Sequence, residues 1–486
     1  MRGTKGTTIP LNCVDKALFA LHCKHEPMVN HGIMTIDGAV DPVRLKSALE
    51  TVMLRHPILR STISTGWLHQ VRKAQEIDGR KILNVASLVG RQMERDTSPE
   101  EIAALYERRL SEWVSSPLDP TTEWPCRVLM MTRALKESSL VFTLHHSATD
   151  GLGLFRFMRE VIGEYNGATD SSTLSTVPPT NGTGDEPLTL PRARRLEVRH
   201  FYLKMVASLV QRFLIAPLSP NARVCCTRSG RLSELSERNF CQASLNPYEM
   251  SQIKSRSRLV GATVNDILLA SCFRAVEQWN TVCGKRSRKI SIMVPVDIGT
   301  GTSSPIRGNH VSFISVSTTQ RDRSDPDELL RTVHKKTSYM LKNRVAFSIV
   351  YLLSFCTCLP PLFPKLVARF LIATRVYLDS ALLTNLGLIW PKETTPMEEV
   401  RMGNAKITGV LGLPPVVSPM GLSLCVGTYN GHLDVALVYR TSHFSRSDAR
   451  VLLNLYLHEI RSYQRTPEGQ LAPEVTQRET GVSAPV

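Results

Sequence analysis

His145 and His146 stand side by side in the stretch Leu144-His145-His146-Ser147-Ala148-Thr149-Asp150-Gly151, and Asp150 follows His146 by four residues. A neutral imidazole can take a proton from a hydroxyl or an amine and return it to a leaving group. A carboxylate four residues on, across a tight turn, can orient that imidazole or the loop that carries it. The same residue types also suit a structural reading, in which the histidines end a strand in the core and the aspartate only caps a helix. A metal site is the weaker reading, because no glutamate stands as in His-Glu-x-x-His and no cysteine pair accompanies the histidines.

The elements that must position these residues can be read around them. Leu140 to Leu144 is an apolar run and predicts a buried strand. Leu152, Phe155, Phe157, Met158, Val161 and Ile162 predict a partly buried helix, with Asp150 at its N-cap. The histidines therefore leave a strand end and turn into a helix, a geometry that can hold an imidazole rigidly at the mouth of a crevice.

In this setting, His145-His146-x-x-x-Asp150-Gly151 resembles the active-site motif of the CoA-dependent acyltransferase superfamily. That superfamily includes peptide-synthetase condensation domains, chloramphenicol acetyltransferase, plant hydroxycinnamoyl-type acyltransferases and the wax ester synthase/diacylglycerol acyltransferases. Arg55-His56-Pro57-Ile58-Leu59-Arg60 is similar to the Arg-His-x-x-Leu-Arg motif of condensation-type enzymes. The resemblance implies an arginine paired with Asp150: Arg55 is favoured, Arg60 is held in reserve, and both also fit as ordinary surface arginines.

Further segments are similar to the wax ester synthase/diacylglycerol acyltransferases in particular. They are Asn12 to Met28 with Met34-Thr35-Ile36, then Thr263-Val264-Asn265-Asp266, Gly308-Asn309, Thr384-Asn385-Leu386-Gly387 and the stretch Gly421 to Tyr439. In order, they carry the resemblance from about residue 10 to 460. The chain also departs from that pattern. Ile298-Gly299 follows Pro295-Val296-Asp297 where an arginine is expected, Thr384 replaces a serine, and the Pro-Gly-Pro after that loop is absent. The Asp-Phe-Gly-Trp-Gly motif of the plant enzymes is missing as well.

The resemblance implies an α/β (α+β) fold of two chloramphenicol-acetyltransferase-like lobes, each a mixed sheet with helices, and an active-site tunnel between them. The acyl group of an acyl-CoA would pass to a hydroxylated acceptor: a fatty alcohol, a diacylglycerol or another alcohol. His146 is then the general base and Asp150 a structural carboxylate, with His145 and Gly151 in support and Asn309 as an oxyanion or orienting donor. Asn265, Asp266 and Asn385 would line the tunnel, although Asn265 and Asp266 suit helix capping equally. Acyl-CoA is a co-substrate, so no permanently bound cofactor and no metal are expected. No covalent intermediate is needed, and no cysteine is assigned a role. Two rivals stand beside this reading: a carrier-protein-dependent condensation enzyme forming an ester or amide, and a non-catalytic module with the same shell. No adenylation or carrier domain and no Gly-x-Ser-x-Gly elbow is recognisable, which favours a stand-alone transferase. The intact His145-His146 and Asp150 count against a non-catalytic module.

Composition sets the outer bounds. A chain of 486 residues predicts two domains, and 42% hydrophobic with 21% charged residues is globular. The expected division is an N-terminal lobe over 10–167, a Ser/Thr/Pro/Gly-rich linker over 168–191, a C-terminal lobe over 192–465 and a disordered tail over 466–486. The net charge of +16 favours acidic partners such as phosphate-bearing cofactors or anionic lipid. The chain has no zinc-finger spacing or RNA-recognition signature, so nucleic acid is not an expected partner. Arg192 to Pro217 has one basic and one apolar face, which suits either an anionic membrane surface or packing on its own lobe. Phe347 to Phe363 is apolar but short and broken by Pro360 and Pro361, so it predicts a core or interfacial helix rather than a membrane span. Eleven scattered cysteines and a polar N-terminus predict a reducing, cytoplasmic setting, peripheral to a membrane at most. The expected state is a monomer.

Overall fold

A computed structural model of the chain describes residues 8–464 except 23–26, 67–69, 79–81, 88–97, 135–136, 168–205, 207–219, 229–236, 300–305, 307, 358–359, 361, 364, 367–378, 391–399 and 418–419. The predicted linker, the basic helix apart from Val206, and the predicted tail lie outside the described residues. The fold is mixed α/β and two-lobed.

The first half runs β1 (Thr8–Pro10), α1 (Cys13–Leu21), β2 (Val29–Asp37), α2 (Pro42–Arg55), β3 (Ser61–Thr65), β4 (Gln70–Ala74), β5 (Leu83–Ser87), α3 (Pro99–Ser115), β6 (Cys126–Ala134), β7 (Glu137–His145) and α4 (Gly151–Tyr165). The second runs β8 (Arg238–Leu245), α5 (Pro247–Leu259), α6 (Val264–Val282), β9 (Lys289–Asp297), β10 (Val311–Thr319), α7 (Pro326–Lys342), α8 (Val345–Thr357), β11 (Ala381–Leu388), β12 (Arg401–Met402), β13 (Ala405–Leu413), β14 (Leu422–Tyr429), β15 (His432–Arg440) and α9 (Arg446–Ser462).

Caps set many of the helix starts. Asp41 accepts from Val43 N–H before Pro42 opens α2, and Asn12, Thr263 and Ser445 each form a capping box. The β14–β15 turn is Asn430-Gly431, with φ of 46° and 79°, the left-handed pair a tight hairpin requires.

One six-stranded sheet has the order β12-β13-β2-β7-β6-β5 and the other β10-β9-β11-β14-β15-β8, with a small sheet β1-β4-β3 beside them. Division by chain order therefore fails at one point. Residues 401–413, expected in the C-terminal lobe, complete the sheet of the first, with Leu413 opposite His31 and Ile407 opposite Ile36. An alternating strand pattern says which face is buried but not which sheet it joins. Helices α2 and α4 cover one face of the first sheet through Val52, Phe157 and Phe142. Its other face meets the second sheet through Ile33, Val141, Leu411 and Val438. Helix α6 is the core helix of the second half, with Leu268, Ala270 and Phe273 fully buried.

The apolar stretch predicted over 347–363 is helical over Val345–Thr357. Among the described residues, no single helix is long and apolar enough to cross a membrane; one pair, α5 with α6, passes by length and composition but is bent by 101°.

Candidate active site

Strand β7 lies in the middle of its sheet, hydrogen-bonded to β2 with His145 opposite Val29. The chain then turns before α4 begins. His145 N–H donates to Pro125 carbonyl (2.8 Å), His146 N–H to Met28 carbonyl (2.7 Å) and Ala148 N–H to His145 carbonyl (2.9 Å). The turn is therefore held by main-chain bonds on both sides.

The two histidines have different surroundings. His145 is fully buried. Its Nδ1 accepts from Ser147 N–H (3.1 Å), so its proton sits on Nε2, which donates to His22 Nδ1 (3.0 Å). Burial, then the adjacent His22, His146 and Arg72, push its pKa well below the ordinary histidine value. His145 is a neutral structural group.

His146 is partly accessible, and its Nδ1 lies 3.0 Å from Asn309 Oδ1. The orientation of the Asn309 amide follows from its other bonds. Its Nδ2 donates to Asp15 Oδ1 (2.8 Å) and to the carbonyl of His146 (2.6 Å), which leaves Oδ1 as the atom facing the imidazole. Nδ1 of His146 must then carry the proton, and Nε2 keeps the lone pair. Burial lowers the His146 pKa, and the nearby Asp150 charge opposes that fall. The result is a neutral base with a defined tautomer.

Asp150 is tied by main-chain donors. Oδ1 accepts from Gly153 N–H (2.9 Å), capping α4, and Oδ2 accepts from His310 N–H (3.0 Å) in the second half of the chain. The expected arginine partner is therefore corrected. Arg55 pairs with Glu164 at 2.5 Å, near the far end of α4, about 20 Å along the helix from Asp150. Arg60 donates to Met53 carbonyl (3.3 Å) and to Gln75 carbonyl. Asp150 had no need of an arginine, because two backbone N–H groups already meet its oxygens.

The arginine that secures the motif is Arg72 on β4. Nη1 contacts Asp15 Oδ2 at 3.1 Å and Nη2 donates to the carbonyl of Ser147. Asp15, in the first turn of α1, also accepts from Asn309 N–H (3.0 Å) and Asn12 N–H (3.2 Å). Asn12 Nδ2 in turn donates to Asn309 carbonyl (3.0 Å). Asp15 and Arg72 are each about 1% exposed and were absent from the sequence reading. Only the inward face of β4, visible once strand register is known, marks Arg72. Gly308 belongs to the same cluster. Its φ is +109°, and a Cβ there would lie 2.8 Å from Asp15 Oδ2.

The structure treats the remaining expected residues unequally. A Cβ on Gly151 would lie 3.2 Å from Leu386 Cδ2, so Gly151 admits a side chain of β11. Asn385 on that strand donates to Asn265 at 3.3 Å, which places these two together. Asp266 takes the capping alternative and not the tunnel. It is buried and bonded to Thr263, His334 (2.9 Å) and Thr337 (2.7 Å). Burial would raise its pKa, but those bonds, His334 first, hold it lowered. A cavity of about 1170 Å³ opens between the two large sheets beside α3, and His146 is not among its lining residues. Among the described residues, no cluster of His, Cys, Asp and Glu could hold a metal ion.

A neutral imidazole with its Nδ1 proton held by Asn309, carried on the end of a central strand, makes His146 the candidate site, and the comparisons with known proteins bear on the same region. Residues 20–183 match the condensation-domain family model, and residues 307–452 match that of the WS/DGAT C-terminal domain. In these two matches the chain is similar to CoA-dependent acyltransferases, near the wax ester synthase/diacylglycerol acyltransferases, and they support an acyltransferase.

Solved structures share the fold. The first condensation domain of the calcium-dependent antibiotic synthetase, in complex with a substrate analogue, has a TM-score of 0.66 at 14% identity over 95% of this chain and 97% of that one. A trichothecene 15-O-acetyltransferase from Fusarium sporotrichioides has 0.67 at 11% over 94% and 95%. The epimerization domain from the third module of tyrocidine synthetase B has 0.63 at 15% over 96% and 97%. No curated protein matches the sequence.

The two carboxylates should separate experimentally. Asp15→Ala strands Arg72 in the interior and should destabilise the fold by about 3–5 kcal/mol. Asp150→Ala removes a helix cap and one further bond and should cost about 1–2 kcal/mol. Denaturant unfolding of both variants checks this, and a cost for Asp150→Ala equal to that for Asp15→Ala would refute the assignment.

Proposed function

We propose that the chain transfers an acyl group from an acyl-CoA thioester to a hydroxylated acceptor, with His146 as the general base. The observation that carries the proposal is the Asn309–His146 pair, which leaves Nε2 as a free acceptor. Nε2 takes the acceptor's hydroxyl proton as the oxygen attacks the thioester carbonyl. The C–S bond then breaks, and the same nitrogen returns the proton to the departing thiolate. No enzyme atom becomes acylated. A carrier-bound thioester would serve the same chemistry, as would an amine acceptor.

The test is a screen of purified protein with acyl-CoAs of increasing chain length, and acyl groups on a phosphopantetheine carrier, against alcohols, diacylglycerol and amines, reading product mass. His146→Ala should lose about 10²–10⁴-fold in rate with an unchanged melting temperature. Near-wild-type turnover in that variant would end the general-base assignment.

The pH dependence has a defined sign. Burial lowers the His146 pKa, so the basic form persists to lower pH than for a free histidine. The acid limb of kcat/KM should therefore fall below about 6.5. A limb at or above that value would contradict this environment for His146.

We also propose a peripheral, salt-sensitive contact with anionic membrane. Leu362, Phe363 and Leu366 are exposed, and Lys365 stands 5.4 Å from the centre of the Phe19 ring on α1. Each basic side chain near such a surface contributes about 1 kcal/mol. Liposome flotation should show binding to anionic vesicles that weakens with salt; binding indifferent to both lipid charge and salt would rule the electrostatic contact out.

A further inference from the structure

The acyl-transfer chemistry uses no thiol, yet three cysteines gather at one place far from His146 in the sequence. Segment 220–228 docks on the last turns of α6. The Asn280 side chain accepts from Cys225 N–H (2.7 Å) and donates to Arg223 carbonyl (2.9 Å), and Trp279 Nε1 donates to Cys225 carbonyl (2.9 Å). Both main-chain groups of Cys225 are thus held by two consecutive residues of the helix. Cys283 caps that helix, with its N–H on Trp279 carbonyl at 3.0 Å. Lying three and four residues beyond Asn280 and Trp279, Cys283 shares the face that carries Cys225. The Cys225 sulfur lies close enough to the Cys283 thiol to act on its pKa, and Cys225 Sγ is itself directed at Cys226 carbonyl (3.8 Å). Cys225 and Cys283 are both partly exposed, whereas Cys126, Cys241, Cys272 and Cys425 are buried. On the far side of the segment, Thr227 bonds Asp448 in the first turn of α9 at 2.6 Å.

We propose that Cys225 and Cys283 form a reversible intramolecular disulfide in response to peroxide, a covalent strap from segment 220–228 to the end of α6. Burial first, then the neighbouring Cys225 sulfur, pushes the Cys283 thiol up to about 11, so Cys283 keeps its proton at neutral pH. Cys225 is accordingly the attacking group. Its thiolate sulfur bonds to one peroxide oxygen, the O–O bond breaks, and sulfenic acid and hydroxide result. The Cys283 sulfur then attacks the sulfenic sulfur. The S–S bond forms, the S–O bond breaks, and the Cys283 proton leaves with the hydroxyl as water. In total two thiols lose two electrons and one peroxide becomes two waters. The neighbouring Cys226 is exposed, but its Sγ is directed at Val224 carbonyl (3.8 Å).

The experiment treats the full chain with limiting hydrogen peroxide, alkylates the remaining thiols and maps non-reduced peptides by mass. The expected result is a cross-linked pair containing Cys225 and Cys283, a loss of two thiols per chain, and full reversal by dithiothreitol. Cys226→Ser should form the same cross-link. Cys283→Ser should leave Cys225 as a sulfenic acid that dimedone captures, and Cys225→Ser should leave Cys283 free. A Cys225–Cys226 link, a dimer joined through Cys226, or Cys225 and Cys283 still alkylatable after Cys226 has oxidised would each overturn the proposal.

Discussion

One buried carboxylate organises the site. Asp15 is almost wholly removed from water and accepts from Arg72, from two donors of Asn309 and from Asn12. A charge in that position is tolerable only if every lone pair is met, since an unpaired buried ion costs several kcal/mol. Meeting that need draws α1, β4 and the 308–309 segment to one point. It also fixes chemistry one residue away. With Asn309 Nδ2 committed to Asp15 and to the His146 carbonyl, only Oδ1 can face the imidazole. The tautomer of the base is therefore set by a carboxylate that never touches it. The residues involved lie at 12–15, 72, 146–147 and 308–309, so the site exists only when both halves of the chain are in place.

Local features of this arrangement are readable in the sequence. The apolar run into His145, the cap at Asp150 and the apolar face of the following helix all depend on neighbours within a few residues, and strand β7 and helix α4 lie where those patterns put them. The Asn430-Gly431 hairpin and the Thr263 capping box are local in the same way. What the sequence does not disclose is which distant group meets a buried charge. The need for a partner at Asp150 was legible, but main-chain N–H groups are present at almost every residue and leave no mark on the sequence. Arg55 and Arg60 were plausible by type, and both are spent elsewhere. Arg72 and Asp15 look like an ordinary strand residue and an ordinary helix-start acid until register and packing bury them. Likewise, nothing in the alternation of residues 405–413 tells that strand β13 crosses to the other sheet.

The adjacent histidines show how one motif divides its labour. Both leave the same strand end, and both are held below the ordinary histidine pKa by burial. At His145 every neighbouring charge adds to that fall, and both ring nitrogens are occupied, so a proton has neither a favourable field nor a free atom to bind. At His146 the Asp150 charge opposes the desolvation, and Asn309 accepts from the nitrogen opposite the free one. A base in this setting is neutral at rest, which keeps its lone pair available. In the proposed transfer, a proton taken by Nε2 would leave an imidazolium with an anion nearby and a hydrogen-bond acceptor already in line, so the developing charge would be stabilised without reorganisation. Asp150 therefore has two functions that do not compete. Its oxygens hold the N–H groups of Gly153 and His310, and its charge acts on His146 through space. An arginine bound to Asp150 would have cancelled that charge. The main-chain partners hold the carboxylate in place and leave it negative.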